Sequence, residues 1–280
     1  MIWFGDGTFK VVPEIFYQLY TIHCLTVNGV IPCVYALLPN KQRQTYLTLF
    51  RRLLALNPRL NPRSFLIDYE QAARSAIEEV FPQVSLKGCF YHLSQSIYRK
   101  VQEEGLQVPY QSDDHLALKI RMLAGLAFVP MHRVVDDFET LLQDFPSQAT
   151  PIADYFEDTY IGRPTQGQNR RAPRYAISMW NMHDRVADDL PRTNNALEGW
   201  HNHMQSNVSS MHPNIWKFLD VLKREQALNQ VNVNQMLAGY PQPPKRKRYQ
   251  DSSRIKTIVE DYENRSTMDF LRGIAHNPQF

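Results

Sequence analysis

The chain has 280 residues, enough for one large domain or two small ones, and its 43% hydrophobic and 11% aromatic content excludes wholesale disorder. Its formal net charge of +3 is too small to argue for or against a nucleic-acid partner. Three cysteines are too few for a disulfide scaffold, which favours a soluble, reduced intracellular protein. No signal peptide is recognisable, and the most apolar stretch, 24–38, is too short and interrupted to span a bilayer, so we expect no membrane partner.

The first part of the chain reads as five strands and three helices. Residues 2–4 are a short apolar strand that ends at Gly5-Asp6-Gly7, and residues 8–12 are a candidate continuation of it. Strands at 20–27 and 30–38 are joined by Asn28-Gly29, the strongest short signal for a hairpin. The pattern then predicts a helix, strand, helix, strand and helix at 42–56, 64–67, 70–80, 84–89 and 92–103. A meander followed by alternating helix and strand predicts an α/β protein with a mixed sheet flanked by helices.

From residue 113 onward no strand pattern is convincing. Helices are predicted at 116–128, 134–144 and 152–160, and 162–173 is a polar, arginine-rich loop. Later helices are predicted at 195–206, 213–234 and 255–262. We therefore divide the chain into four parts: the first part of the sheet domain (1–112), an all-helical insertion (113–190), the final helices of the sheet domain (191–238) and a basic linker with a tail (239–280).

Three acidic residues stand out by position. Asp6 ends the first strand, Asp68 ends the fourth, and Glu198 lies in the first turn of a late helix. In an RNase H-like sheet the first and fourth strands are neighbours, so Asp6 and Asp68 would lie side by side. A helix packed beside them would add Glu198. Three carboxylates are hard oxygen ligands for Mg²⁺, and two such ions promote in-line displacement at a phosphodiester.

Each acid also has a purely structural explanation. Asp6 lies between two glycines and fits a turn residue. Asp68 with Gln71, and Asn195 with Glu198, fit capping boxes at the starts of helices. The three acids together are better evidence for a site than any one of them alone.

Four segments resemble the signature blocks of the Mutator-like element (MULE) transposase domain in wording, order and spacing: DGTFKVVPEIFYQLYTIH, FLIDYEQAARSAIEEVFP, GCFYHLSQSIYRKVQ and RTNNALEGWHNHMQ. The resemblance covers roughly residues 4–235 and implies an RNase H-like fold interrupted by a helical insertion. It also implies that Asp6, Asp68 and Glu198 are the catalytic acids, which bind two Mg²⁺ or Mn²⁺ ions for DNA strand cleavage and strand transfer. The expected partner is double-stranded DNA in the nucleus, bound by a homo-oligomer.

The family also carries a Cys-x-x-His motif after the fifth strand, which matches Cys89 and His92. The pair could be half of a zinc site completed by His183, His201 or His203, but this spacing matches no standard zinc finger. The favoured interpretation is that His92 faces the active site, contacting DNA or orienting a carboxylate, while Cys89 packs in the sheet. The remaining alternative is that Cys89 and His92 are both structural residues of the protein core. His201 lies three residues after the predicted catalytic glutamate, on the same helix face, and is a candidate auxiliary residue.

Two basic segments are candidate DNA-binding elements. The arginine-rich loop suits a phosphate backbone through Arg163, Arg170, Arg171 and Arg174. A later run reads as a nuclear localisation signal or an extra DNA contact: Lys245, Arg246, Lys247 and Arg248. For both segments a solvated surface is the alternative.

We expect a transposase catalytic core that lacks the upstream zinc-binding DNA-recognition domain usual in this family, because the sequence begins within a predicted strand. The alternative is a domesticated or inactive transposase-derived protein that acts as a DNA-binding or regulatory protein. The presence of all three acids argues against decay at the site. A ribonuclease would share the fold and metals, but the helical insertion and the signature segments weigh against it.

Overall fold

Five strands form one mixed sheet in the computed structural model of the protein, which describes residues 1–27, 29–165, 169–208, 211–240 and 248–277, without the side chains of 248–252. The strands are β1 (Ile2–Thr8), β2 (Gln18–Thr26), β3 (Gly29–Leu38), β4 (Ser64–Ile67) and β5 (Ser85–Gly88). Their order across the sheet is β3-β2-β1-β4-β5, with β1 antiparallel to β2 and parallel to β4. The α/β class, the mixed sheet and its flanking helices are therefore confirmed.

The predicted hairpin is present as the antiparallel pair β2 and β3, in which Thr26 pairs with Gly29. Asn28 of its turn lies outside the described residues. β1 is longer than the predicted strand 2–4, because Gly5-Asp6-Gly7 pairs with β2 instead of turning away from it.

The helices are α1 (Arg43–Leu56), α2 (Gln71–Val80), α3 (Phe90–Glu103), α4 (Gln107–Ser112), α5 (Asp114–Gly125), α6 (Val134–Leu142), α7 (Thr150–Phe156), α8 (Ile177–Trp180), α9 (His183–Ala187), α10 (Asn195–Val208), α11 (Ile215–Leu237), α12 (Arg248–Glu260) and α13 (Thr267–Ala275). None of the helices in the described ranges is both long enough and apolar enough to cross a bilayer.

The chain divides into two units. The first comprises Met1–Lys87 and Thr193–Pro244, and it contains α1, α2, α10, α11 and nearly the whole sheet. The second comprises Gly88–Arg192 and Lys245–Phe280. Its described residues are helical or irregular apart from one isolated bridge between Pro164 and Arg170. The absence of strands predicted for 113–190 is thus confirmed for the described residues.

Helices cover both faces of the sheet in the first unit. On one face, Trp3 and Phe65 pack edge to face, with ring centroids 5.5 Å apart, in a core shared with Phe50 of α1 and Ile77 of α2. On the other face, Leu19 packs with residues of α10 and α11, among them Met204, Val208 and Phe218. The central strands β1, β2 and β4 therefore have residues buried on both faces of the sheet.

The second unit includes the end of the chain. Buried Asp137 on α6 accepts hydrogen bonds from Tyr262 (2.7 Å) and from Thr267 (2.8 Å). Only a helix at 255–262 was predicted here; instead α12 starts earlier, and α13 buries Phe270 and Leu271. Helix α13 was not predicted because it is short and depends on packing against the rest of the unit for its stability.

Candidate active site

Asp6 and Asp68 belong to the neighbouring parallel segments β1 and β4. The paired residues of the two strands end at Phe4 and Leu66, and Asp6 and Asp68 each lie two residues beyond that pair. Neighbouring strands are about 4.8 Å apart, so the two backbones are close at this point. Asp68 directly follows the last residue of β4, whereas Asp6 lies within β1.

Both acids belong to the sheet face that α10 covers. Side chains alternate along a strand, so Asp6 shares the face of Phe4, and Asp68 continues the face of Leu66. Phe4 and Leu66 pack against Leu197 of α10 in a small apolar cluster. The acids therefore face α10, and the opposite face of the sheet faces α1 and α2.

Asn194 joins the start of α10 to Asp68. Its side-chain amide donates a hydrogen bond to Asp68 Oδ1 over 3.1 Å, and its side chain is fully buried. Its carbonyl accepts from the backbone N–H groups of Leu197 (2.8 Å) and Glu198 (3.0 Å). Glu198 thus lies in the first turn of α10, as expected, one residue after the leucine that packs on both acid-bearing strands.

The turn and capping-box explanations of the two aspartates do not hold. Asp6 is a strand residue paired with Thr21 of β2, so it is not part of a turn. Helix α2 begins at Gln71 with Glu70 as its N-terminal cap, so Asp68 does not cap that helix.

The glycines on either side of Asp6 make room for large side chains of β2. A Cβ atom at Gly5 would lie 2.4 Å from the Tyr20 hydroxyl, and one at Gly7 would lie 2.3 Å from Gln18 Oε1. Real Cβ atoms do not approach other atoms so closely. The Gly-Asp-Gly sequence therefore combines an acid on the α10 face with close packing on the other.

A buried chain of polar contacts leads from Asp6 into the sheet. His201 Nδ1 lies 3.5 Å from Asp6 Oδ2, and His201 Nε2 lies 3.1 Å from the Thr21 hydroxyl. Nε2 of His23 lies 3.2 Å from the same hydroxyl. His201, Thr21 and His23 are all buried. The candidate auxiliary residue His201 thus contacts a candidate catalytic acid, and its role in the reaction stays a prediction.

Its environment keeps His23 neutral. Burial is the main cause that lowers the pKa of His23 to about 3; His201 acts in the same direction and Asp6 in the opposite one. The Thr21 hydroxyl also donates to the backbone carbonyl oxygen of Asp6 over 3.4 Å, so Thr21 links both histidines to Asp6.

Sequence reasoning missed Thr21 and His23. Their spacing of two along β2 indicates that they share a face. Nothing in the sequence tells which face lies under α10, and the partner His201 is 180 residues from Thr21 along the chain.

Cys89 and His92 lie together at the start of α3 in the second unit. Cys89 is buried and immediately precedes the helix, and a ring nitrogen of His92 lies within 4.8 Å of its sulfur. His92 is partly exposed and also contacts the ring of Tyr91. Of the three histidines considered as further zinc ligands, His183 contacts Asp184 (3.0 Å), His203 contacts Glu225 (3.1 Å), and His201 contacts Asp6.

Carboxylates engage the arginine-rich loop of the second unit. Arg163 forms a two-pronged interaction with Asp158 (2.8 and 3.0 Å), and Arg170 contacts both Glu157 and Glu139. Arg171 is more exposed, with 69% of its side chain accessible and a longer 3.6 Å pair to Asp158. The exposed Arg174 guanidinium lies over the ring of Tyr175. DNA binding by the four arginines remains a prediction.

The later basic run cannot be placed in the same way. Lys245, Arg246 and Lys247 lie outside the described residues. Arg248 is the first residue of α12, and its side chain is not described.

The sheet and its acids define an α/β protein whose first and fourth strands carry neighbouring carboxylates beneath a helix. Comparison with protein families finds that residues 2–96 match the MULE transposase domain, which supports a MULE-type transposase domain in this part of the chain. The match includes Asp6, Asp68, Cys89 and His92, and it ends before α10 and Glu198. None of the curated proteins compared with the chain matches it.

Proposed function

We propose that the chain is a transposase catalytic core that cleaves and joins DNA strands, with Asp6, Asp68 and Glu198 as ligands of two Mg²⁺ or Mn²⁺ ions. The observation that carries the proposal is the parallel pairing of β1 and β4, from whose register we expect Asp6 and Asp68 to lie side by side on the face covered by α10. The family match over β1 to the first half of α3 is independent support.

The strand order and directions support an RNase H-like fold. In this sheet the first and fourth strands are parallel neighbours, and β2 and β3 extend it as an antiparallel meander. The helical residues of 113–190, which lie between β5 and α10 in the sequence, correspond to the proposed insertion.

The donor set fits hard divalent cations. All three groups are carboxylates, and each is partly exposed although its apolar neighbours are buried. When bound, two such ions activate an attacking oxygen and stabilise the leaving oxygen of an in-line displacement. Water and then a DNA 3′-hydroxyl would be the successive nucleophiles.

The chain's own residues would hold the carboxylates in place. The backbone N–H of Gly7 donates to Asp6 Oδ1 over 2.7 Å, and His201 contacts Oδ2 of the same group. Asn194 orients Asp68 through its buried amide. Phosphoryl transfer depends mostly on positioning and charge stabilisation, so such neighbours count for as much as the ligands themselves.

Double-stranded DNA is the proposed partner, bound by a homo-oligomer in the nucleus. In the arginine-rich loop we expect Arg171 and Arg174 to contribute most to phosphate binding, because they are exposed, whereas Arg163 and Arg170 are partly buried and contact carboxylates at close range. Replacing a phosphate-binding arginine should weaken binding to all DNA sequences alike and reduce its dependence on salt.

Nicking of supercoiled plasmid in Mg²⁺ or Mn²⁺ tests the proposal. We expect wild-type protein to nick, and Asp68→Asn to lose at least about a hundredfold in rate, because a neutral amide is a far weaker ligand for these ions. Asp220→Asn is the matched control, since Asp220 is an exposed acid on α11 in the same unit.

Two results would contradict a catalytic role. Equal nicking by wild type and Asp68→Asn would assign the activity to a contaminant or to another site. Folded wild-type protein that binds DNA yet never nicks it, in either metal, would instead favour the domesticated, regulatory alternative.

A further inference from the structure

Two cysteines meet at the β2–β3 hairpin. Cys24 lies on β2 and Cys33 on β3, and their side chains are hydrogen-bonded to each other. The strands contain a β-bulge here: Ile22 pairs with Val34 and His23 pairs with Pro32, which leaves Cys33 as the extra residue. A bulge redirects the side chain of its extra residue, which accounts for a contact across the ladder between residues that are not direct partners.

The two thiols differ in exposure. Cys33 is exposed, whereas Cys24 is partly buried against the core beneath α1 and α2. Cys24 Sγ also lies 3.9 Å from Met1 Sδ, and Cys33 Sγ lies 3.6 Å from the carbonyl oxygen of Ile31. A small reagent in solvent would therefore meet Cys33 first.

The two thiols also differ in acidity. The hydrogen bond that Cys24 donates raises the pKa of Cys24 and lowers the pKa of Cys33. The backbone N–H of Cys24 stabilises the Cys33 thiolate as well, and so lowers its pKa. Cys33 therefore loses its proton more readily than Cys24, and the thiolate, which is the nucleophilic form of cysteine, forms first at the more exposed sulfur.

We propose that Cys33 and Cys24 are a peroxide-reactive dithiol site, in which Cys33 is attacked first and Cys24 closes a reversible disulfide across the hairpin. The Cys33 thiolate attacks one oxygen of hydrogen peroxide, the O–O bond breaks, and the products are a sulfenic acid and, after protonation, water. Cys24 sulfur then displaces the hydroxyl group from Cys33 sulfur; the S–S bond forms, and the thiol proton leaves with that group as a second water. Peroxide is the two-electron oxidant, and the two thiols are oxidised.

This site is independent of the carboxylates. Cys24 packs on the sheet face of Trp3 and Ile22, whereas Asp6 is on the α10 face. Cys89 is fully buried and serves as an internal reference, because a solvent oxidant should leave it reduced.

Oxidation of the folded, reduced protein by hydrogen peroxide, followed by peptide mapping, tests the proposal. We expect two of the three thiols to disappear together, with a mass loss of two hydrogen atoms and a cross-linked pair of peptides containing Cys24 and Cys33. Dithiothreitol should restore both thiols. Cys89→Ser is the matched control and should behave as wild type.

Single variants separate the two roles. Cys33→Ser should lose thiols at least tenfold more slowly than wild type, and Cys24→Ser should accumulate a sulfenic acid at Cys33 that dimedone traps. Overoxidation of Cys33 to sulfinic acid at the same rate in wild type and Cys24→Ser would overturn the proposal. So would disulfides that form only between chains. Because the wild-type peptide map is decisive by itself, a variant that fails to fold leaves the test intact.

Discussion

Replacement of His201 tests whether the buried polar chain positions Asp6. His201→Ala removes the 3.5 Å contact to Asp6 and the 3.1 Å contact to Thr21, and it empties a site that is only 8% exposed. One lost hydrogen bond at about 1 kcal/mol, plus a cavity of imidazole size, predicts a loss of about 2–4 kcal/mol in unfolding free energy. Such a loss alone would not establish a positioning role.

Two conservative variants separate positioning from folding. In His201→Asn the side-chain amide reaches the place of Nδ1 and keeps a donor for Asp6, whereas in His201→Gln the longer amide reaches the place of Nε2 and keeps the contact to Thr21. Hydrogen-bonding partners of metal ligands are worth about 10- to 100-fold in metal affinity or activity. We therefore expect the Mg²⁺ concentration for half-maximal plasmid nicking to stay near the wild-type value in the asparagine variant and to rise by about that factor in the glutamine variant.

The comparison is made on variants whose circular dichroism and urea midpoints show that they are folded. Equal Mg²⁺ dependence in the asparagine and glutamine variants would refute the reasoning, since the two differ in whether Asp6 keeps its donor. A rise in the asparagine variant alone would assign the important contact to Thr21 instead.

Three further predictions concern stability and are measured by urea unfolding. Gly5→Ala should destabilise the protein by about 1–3 kcal/mol, because the new methyl group overpacks a filled core. Gly199→Ala in α10 is the control: no atom lies within 4 Å of the new Cβ, so this variant should be more stable by up to about 1 kcal/mol. Equal effects of the two substitutions would contradict the packing argument. The pKa of His23 is lowered to about 3 in the folded protein, compared with about 6.5 in the unfolded chain. Between these two values only the unfolded chain binds a proton at His23, so the free energy of unfolding should decrease as the pH is lowered from about 6.5 to about 3. In His23→Gln that fall should be shallower by up to about 1.4 kcal/mol per pH unit, and an unchanged slope would show that His23 is not the group responsible. Tyr262→Phe removes a 2.7 Å hydrogen bond to the buried Asp137 carboxylate and should cost about 1.5–3 kcal/mol; no change would mean that the C-terminal segment is not docked there in solution.

The elements that were predicted well are those with strong local patterns. β4 has the predicted bounds 64–67, and the hairpin of β2 and β3 follows from Asn28-Gly29 between two apolar runs. The prediction ended β1 too early because Gly5-Asp6-Gly7 has the composition of a turn. Only the pairing with β2, which the local sequence does not encode, keeps those three residues in the strand.

In the candidate site, too, the features set by local sequence could be predicted and the long-range contacts could not. The two aspartates could be placed from strand order, and Glu198 from the first turn of its helix, because these are properties of single elements. The contacts of Asn194 with Asp68 and of Thr21 with His201 join residues 126 and 180 positions apart, so no local pattern reveals them. Long-range hydrogen bonds of this kind depend on the packing of α10 on the sheet.

The arginine-rich loop shows why a cluster of like charges is ambiguous in sequence. Counted along the chain, its arginines suggest a basic surface. In the folded unit, Arg163 and Arg170 meet carboxylates of Glu157 and Asp158 from the preceding helical turn, and Glu139 from α6. The local field is therefore much weaker than the count suggests, and the charge available to a phosphate backbone is concentrated on the more exposed arginines.

The position of Asp6 is coupled to the packing on the opposite face of its strand. Tyr20 and Gln18 of β2 fill the space left by Gly5 and Gly7, and Gln18 donates a 2.8 Å hydrogen bond to the hydroxyl of buried Tyr46. A side chain at Gly5 would clash with the Tyr20 hydroxyl and the Phe65 ring, so either these rings or β1 would have to shift, and a shift of β1 would move Asp6. A conservative change on the α1 side of the sheet should therefore reduce nicking even though it touches no carboxylate, because phosphoryl transfer tolerates displacements of only a fraction of an ångström.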